Sequence, residues 1–291
     1  MSETSKTGAI RNISDTARWV AVYRAMESER PDALFRDTYA RKLAGERGEQ
    51  IVRALRGGKR QSWSMIVRTA LLDDILLKTL AGEPVDVVMN LAAGLDTRPY
   101  RLALPDTLRW VEVDLPEMID YKTEMLAGET PRCRLERVSM DLANAPARRE
   151  LFARVNSSAS RVFVITEGLL AYLTEEQVAA LAKDLHACEH FQYWVTDIAS
   201  PRVRQMTNKH WGKELRAAGA PIQFAPEAAE EFFRPYGWES VEFREFYQAS
   251  RELNRRMPGD WMIRFGARFM PHRTAKMMKL WRSGMVRLRR V

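Results

Sequence analysis

The chain has 291 residues, 46% hydrophobic and 29% charged, which is enough apolar material for a sizeable core and excludes disorder except at the ends. Two cysteines, Cys133 and Cys188, exclude a disulfide framework or a thiolate zinc site and point to a reducing, cytoplasmic setting. The net charge of +8 is concentrated: residues 255–291 carry eleven basic side chains against Asp260 alone, and the remainder sums to −2, whereas a nucleic-acid enzyme surrounds its cleft with positive charge.

The start, "MSETSKTGAIRNISD", is polar and lacks a signal-like apolar run. No stretch reaches the roughly 18 apolar residues of a membrane span. Residues 14 to 80 read as helices. "SDTARWVAVYRAMESE" opens with Ser14 or Asp15 as N-cap and stops before Pro31; a second helix runs through "TYARKLAGE". "WSMIVRTALLDDILLKTLAGEP" repeats apolar residues at three- and four-residue steps until Gly82 and Pro84. This helical preface, residues 1–80, is expected to cap a sheet.

From Val85 the pattern changes to short β-rich runs: "VDVVMNLA", "LRWVEVDL", "RCRLERVSM", "RVFVITEG" and "FQYWVTDIA". Helical stretches such as "LTEEQVAALAKDLHAC" separate them. That alternation predicts an α/β fold, a Rossmann-like, mostly parallel sheet with helices on both faces, occupying residues 81–254. "GWESVEFREFY" adds an edge strand, and an insertion at about 200–235 could close over a site. From Arg273 a helical wheel sets Met277, Met278, Trp281, Met285 and Leu288 opposite Lys276, Lys279, Arg282, Arg289 and Arg290. Residues 255–291 are therefore expected to form a basic amphipathic C-terminal extension, whose helix from Arg273 onward suits self-docking, a homodimer contact or a peripheral membrane contact.

In an open parallel sheet, ligands bind beyond the carboxyl ends of the strands. "NLAAGLDTR" leaves the first strand there, its small residues Ala92, Ala93 and Gly94 allowing close backbone approach. Asp114, with Leu115 after it, ends the second strand, where a carboxylate can accept hydrogen bonds from both ribose hydroxyls. Asp141 and Leu142 close the third strand; Glu167 and Gly168 close the fourth. The first turn lacks the G-x-G-x-x-G spacing that cradles a pyrophosphate, which disfavours a nicotinamide cofactor.

Five motifs in order, "SDTARWVAVYRAMESERPDALFRDTYARKLAG", "VVMNLAAGLDTRPYRL", "WVEVDLPEMIDYK", "SMDLAN" and "ITEGLLAYLTEEQVAAL", span roughly residues 14–250. In them the chain resembles the leucine carboxyl methyltransferase-like family of S-adenosylmethionine-dependent methyltransferases, which includes bacterial polyketide O-methyltransferases and protein phosphatase methylating enzymes. The resemblance implies a seven-stranded methyltransferase sheet and S-adenosyl-L-methionine as cofactor. It implies that Asp114 binds the ribose, Asp141 and Leu142 the adenine edge, and that Gly94 and Ala92 lie under the methionine moiety. Glu167 would also contact the cofactor, and Arg68 would pair with its carboxylate, a role that suits a planar guanidinium fork. Ala92 stands where many members have glycine.

Methyl transfer needs an in-line nucleophile held about 3 to 3.5 Å from the methyl carbon. A carboxylate acceptor is already ionised at neutral pH, with a reference pKa near ~4, and needs no general base; a phenol, near ~10, does. Tyr172, Tyr23 and Arg24 are the candidates for orienting a small-molecule substrate. No nucleic-acid partner is expected. His186 and His190 share a helix face without a third ligand, so no metal is expected, and His210 reads as a surface residue. Two further readings are a protein carboxyl methyltransferase and a non-catalytic, cofactor-binding or membrane-associated scaffold.

Overall fold

The computed structural model describes residues 10, 12, 14–55, 62–270, 272, 277, 278 and 280–291. Its centre is a seven-stranded sheet of order β3-β2-β1-β4-β5-β7-β6. The strands are β1 (Val87–Leu91), β2 (Arg109–Asp114), β3 (Arg134–Ser139), β4 (Val162–Thr166), β5 (Phe191–Ile198), β6 (Trp238–Glu245) and β7 (Gly284–Arg290). The first five are mutually parallel, while β7 runs antiparallel to both β5 and β6. The five β-rich runs each form one of these parallel strands, and "GWESVEFREFY" forms β6 at the sheet edge.

Alternation along the strands loads both faces. Val87, Met89, Leu91, Val162 and Val164 pack on α6 (Ala145–Ser157) and α7 (Glu175–His186) through Leu151, Phe152, Val178, Leu181 and Leu185. Val88, Phe163, Ile165 and Val195 face the other way, onto Val67, Leu71, Leu72, Ile75 and Leu76 of α3 (Ser62–Gly82). Thr174 and Gln177 form a capping box that starts α7. The third helix of the predicted cap is therefore a sheet-covering helix, since it is apolar on too many sides to lie on a surface. The cap proper is α1 (Ser14–Ser28) with α2 (Ala40–Ala54), which is broken at Gly45 where φ is 59°. The Asp15 amide donates to the Asn12 side chain, so Asn12 supplies the capping oxygen expected of Ser14 or Asp15. The expected insertion contains α8 (Pro201–Ala217), whose Trp211 meets Trp19 of α1 edge to face at 5.3 Å.

The C-terminal expectation is corrected. Residues 284–290, part of the wheel drawn from Arg273, form β7 between β5 and β6, and Met285, Val286 and Leu288 are fully buried. "GMVRLRR" satisfies a helical wheel and a period-two strand together, and the strand prevails because both neighbours supply hydrogen-bonding edges. Arg287 and Arg289 pair with Glu242 and Glu239 of β6. Gly284 fits where a Cβ would stand 2.3 Å from the Arg244 carbonyl oxygen. Residues 284–290 thus complete the core sheet instead of extending from it, while residues 260–269 of the same C-terminal stretch form a separate helix. Lys276 and Lys279 lie outside the described residues.

Candidate functional site

Topology brings the tips of β1, β2, β4 and β5 together beneath α1, and each tip carries polar groups. The turn after β1 places two residues in the left-handed region, Ala92 at φ 55° and Gly94 at φ 50°. At Gly94 a Cβ would come 3.3 Å from the Ala17 methyl of α1, so the turn and the covering helix touch closely. The Gly94 amide donates to Asp114 Oδ2 at 2.6 Å, and the Leu115 amide donates to Asp114 Oδ1 at 2.7 Å. Half-buried, Asp114 has its pKa raised by burial, with the two amides acting in the opposite direction. Ala92 pays for its left-handed backbone, which costs L-residues ~1–2 kcal/mol. Ala92→Gly should therefore stabilise the fold by about 0.5–1 kcal/mol, after allowing for the extra entropy of an unfolded glycine, as denaturant unfolding would show.

A second group forms at β4 and β5. Arg68, on α3, donates from Nε to Glu167 Oε1 at 2.9 Å, and its Nη1 lies 3.3 Å from Asp197 Oδ2. The Gly168 amide, at φ 70°, donates to Asp197 Oδ1 at 2.6 Å. Behind them Arg98, in the short α4 (Arg98–Arg101), is fully buried among three carboxylates. Its contacts are Asp73 at 2.6 Å, Asp96 at 2.7 Å and Glu167 at 2.7 Å. Asn90 completes this layer by donating to Asp96 at 2.8 Å. Burial alone would raise the pKa values of Asp96 and Glu167, but the surrounding cations and hydrogen bonds together, Arg98 first among them with Lys122 and Arg101 at Asp96 and Arg68 at Glu167, hold both below the usual carboxylate range.

The other predicted residues have distinct placements. Asp141 is exposed and accepts from the Ala143 amide in its own turn, while Asn144 caps α6. The turn stays beside the β2 tip because the Met140 amide donates to the Asp114 carbonyl at 2.8 Å. Leu142 packs half-buried against the core, and its carbonyl accepts from Arg148. Tyr172 lies on a 3-10 turn, Leu170–Tyr172, held to the insertion by Gln223, whose amide donates to the Ala171 carbonyl. Burial raises the Tyr172 pKa, against a hydrogen bond with Thr16 and the nearby Arg68 charge. Tyr23 is fully buried in the α1/α2 core beside Trp19, and burial pushes its hydroxyl up to about 12, so packing explains it. Arg24 is bound to Asp37 at 2.8 Å and to the Leu95 carbonyl, which pins α1 to the turn after β1. Its position makes it an anchor of that turn.

His186 contacts the Val291 carbonyl and His190 the Asn156 carbonyl. Among the described residues no three His, Cys, Asp or Glu side chains are grouped to hold a metal. Sequence reasoning passed over Asp197 and Arg98. Asp197 ends "FQYWVTDIA" and obeys the same strand-tip rule that selected Asp114 and Glu167. Arg98 stood inside the quoted "NLAAGLDTR", but only the fold reveals its three carboxylate partners.

These groups suit an adenosyl-sulfonium ligand chemically. A preoriented carboxylate at the β2 tip can accept ribose hydroxyls, the left-handed turns at Ala92, Gly94 and Gly168 expose backbone, and the acidic tips complement a cation. The leucine carboxyl methyltransferase family pattern matches residues 17–186. A Streptomyces coelicolor protein provisionally named an S-adenosyl-L-methionine-dependent methyltransferase is 38% identical over 177 residues, covering 57% of this chain and 62% of that one. The chain thus spans less than two thirds of that relative. A similarly named Mycolicibacterium smegmatis protein is 33% identical over 255 residues, covering 78% of this chain and 84% of its own length. The crystal structure of a DUF574 family protein from Streptomyces avermitilis shares the fold with a TM-score of 0.57 at 14% identity, covering 95% of this chain and 97% of that one. By the family match and these relatives, the chain belongs to the leucine carboxyl methyltransferase family.

Proposed function

We propose that this protein is an S-adenosyl-L-methionine-dependent methyltransferase acting on an oxygen of a small molecule, and that a carboxylate is the favoured acceptor. The observation that carries the reading is the Asp114 carboxylate, gripped by the Gly94 and Leu115 amides at the β2 tip beside two left-handed residues. When bound, the cofactor supplies an electrophilic methyl group on sulfonium. Asp114 would hold the ribose, Gly94 and the small Ala92 would let the backbone approach the methionine moiety, and Asp141 with Leu142 would border the adenine. Arg68 would meet the amino-acid carboxylate, exchanging or sharing its present partners Glu167 and Asp197. The raised pKa of Tyr172 keeps its hydroxyl protonated, which suits donating to an acceptor oxygen and not removing its proton. A carboxylate arrives ionised, so positioning supplies most of the effect. The insertion carrying α8, seated on α1 and on the Tyr172 turn, shields the site from water in this reading.

Titration calorimetry with S-adenosyl-L-methionine and with NAD tests the cofactor, and labelled-methyl turnover with a panel of acids and phenols tests the acceptor. Binding of NAD in preference would overturn the reading, and turnover of phenols alone would move the acceptor to hydroxyl. Asp114→Ala should weaken cofactor affinity by about 1–3 kcal/mol, the range for losing a charged hydrogen-bonding partner. Affinity equal to that of the parent would remove Asp114 from the ribose.

A further inference from the structure

We infer that the connection between β6 and β7 carries an interfacial membrane anchor, the helix α10 (Asp260–Phe269), which docks on anionic lipid. This inference is independent of the methyl-transfer reading. Trp261, Phe265 and Phe269 are 69%, 60% and 61% exposed, and Met262 and Met270 are also exposed. At 100° per residue Trp261, Phe265, Phe269 and Met262 fall within one third of the helix circumference. Besides the buried Asp260 at its start, Ile263 and Gly266 turn part-way toward the protein. Soluble surfaces scatter large apolar side chains singly, whereas a contiguous aromatic face marks an interaction site.

Charge selects the occupant. Arg264 and Arg268, both exposed, border one side of the apolar face, and Arg256 stands exposed just before the helix. The acidic residue of the helix, Asp260, is buried and accepts from the Tyr247 hydroxyl at 2.8 Å, so the exposed charges of α10 are all positive. Apposing two copies through this face would bring like charges together, while an anionic bilayer surface complements them. Tryptophan and phenylalanine on one side with arginine at the border is the composition that lies in a headgroup boundary. Among the described residues no helix is long and apolar enough to cross a membrane, so the contact is in-plane.

The register places this anchor relative to the site. Gly284 pairs with Ile198 at the end of β5 and with Glu245 at the end of β6. The segment 246–283 therefore leaves and re-enters the sheet at the edge where β5 ends, the edge that carries Glu167, Gly168 and Asp197. Docking α10 sets that edge toward the lipid, where amphiphilic acids partition.

Flotation of the full chain with vesicles tests the anchor. With equal parts phosphatidylcholine and phosphatidylglycerol the protein should float, and flotation should fall as sodium chloride rises; phosphatidylcholine alone should capture much less. Trp261→Ser with Phe265→Ser, and separately Arg264→Gln with Arg268→Gln, should each weaken partition about 10-fold or more, with circular dichroism unchanged. Because both arginines of that pair are exposed, it decides the matter even if the serine pair misfolds. Absence of flotation with anionic vesicles, or parental flotation by the folded variants, would overturn the inference. So would a dimer in sedimentation velocity that the serine pair dissolves without any vesicle binding.

Discussion

Arg98→Met should destabilise the protein by about 3–5 kcal/mol, the cost of removing one partner from a buried ionic network. The side chain is 2% exposed and contacts Asp73, Asp96 and Glu167 within 2.7 Å. Methionine fills similar volume but leaves those carboxylates facing one another, with Arg68 and Arg101 compensating only Glu167 and Asp73. The sign of the pH dependence follows. Asp96 and Glu167 have folded pKa values below their unfolded ones, so their contribution is present above about pH 4–5 and lost as pH falls through the folded values. In the variant those depressions shrink, since only Lys122 and Arg101 at Asp96 and Arg68 at Glu167 remain to sustain them, so its stability should decline less steeply on acidification. Urea unfolding at pH 7 and pH 4 measures both effects, and an equal loss at the two values would refute the network account. Glu167 also borders the proposed cofactor site, so on that reading the variant should lose cofactor affinity along with stability.

Lys122→Met should cost a comparable amount, about 3–5 kcal/mol at neutral pH, by isolating a charge in the sheet. Glu112 is fully buried in β2, and Lys122, fully buried in α5 (Pro116–Met125), reaches it at 2.8 Å; Arg137 on β3 adds a second contact at 3.2 Å. Burial already raises the Glu112 pKa even with Lys122 present. Without Lys122 that rise grows, and a raised folded pKa in an acid means stability present below the unfolded value and lost as pH increases. The destabilisation should therefore shrink between pH 8 and pH 5. Adding Glu112→Gln should recover a large part of it, because the charge needing a partner is gone. Thermal unfolding of the single and double variants across that range checks the sign. The pair also fixes α5 against β2, and α5 begins two residues after Asp114, so the geometry of the Asp114 carboxylate depends on it.

The legibility of this protein differs from place to place for physical reasons. The five parallel strands were visible because each is a short β-rich run between helical stretches, and the strand-tip rule then selected Asp114 and Glu167. The same rule applied to "FQYWVTDIA" reaches Asp197. Arg98 and Lys122 were not legible, since a charged residue in a helix reads as solvated until its buried carboxylate partners, remote in sequence, are placed. Arg24 was a candidate for orienting the substrate, and its bonds to Asp37 and the Leu95 carbonyl became visible only in the fold.

By itself the sequence determined the alternation of strands and helices, the small-residue turn, the strand-end carboxylates and the family pattern, because these rest on local periodicity and residue type. Tertiary structure alone decided that residues 284–290 become an antiparallel strand, that α3 covers the sheet, and that the apolar face of α10 stays exposed. Those outcomes depend on which hydrogen-bonding edges and apolar surfaces lie opposite a segment once the chain has folded, and a pattern that fits two periods holds no record of its neighbours.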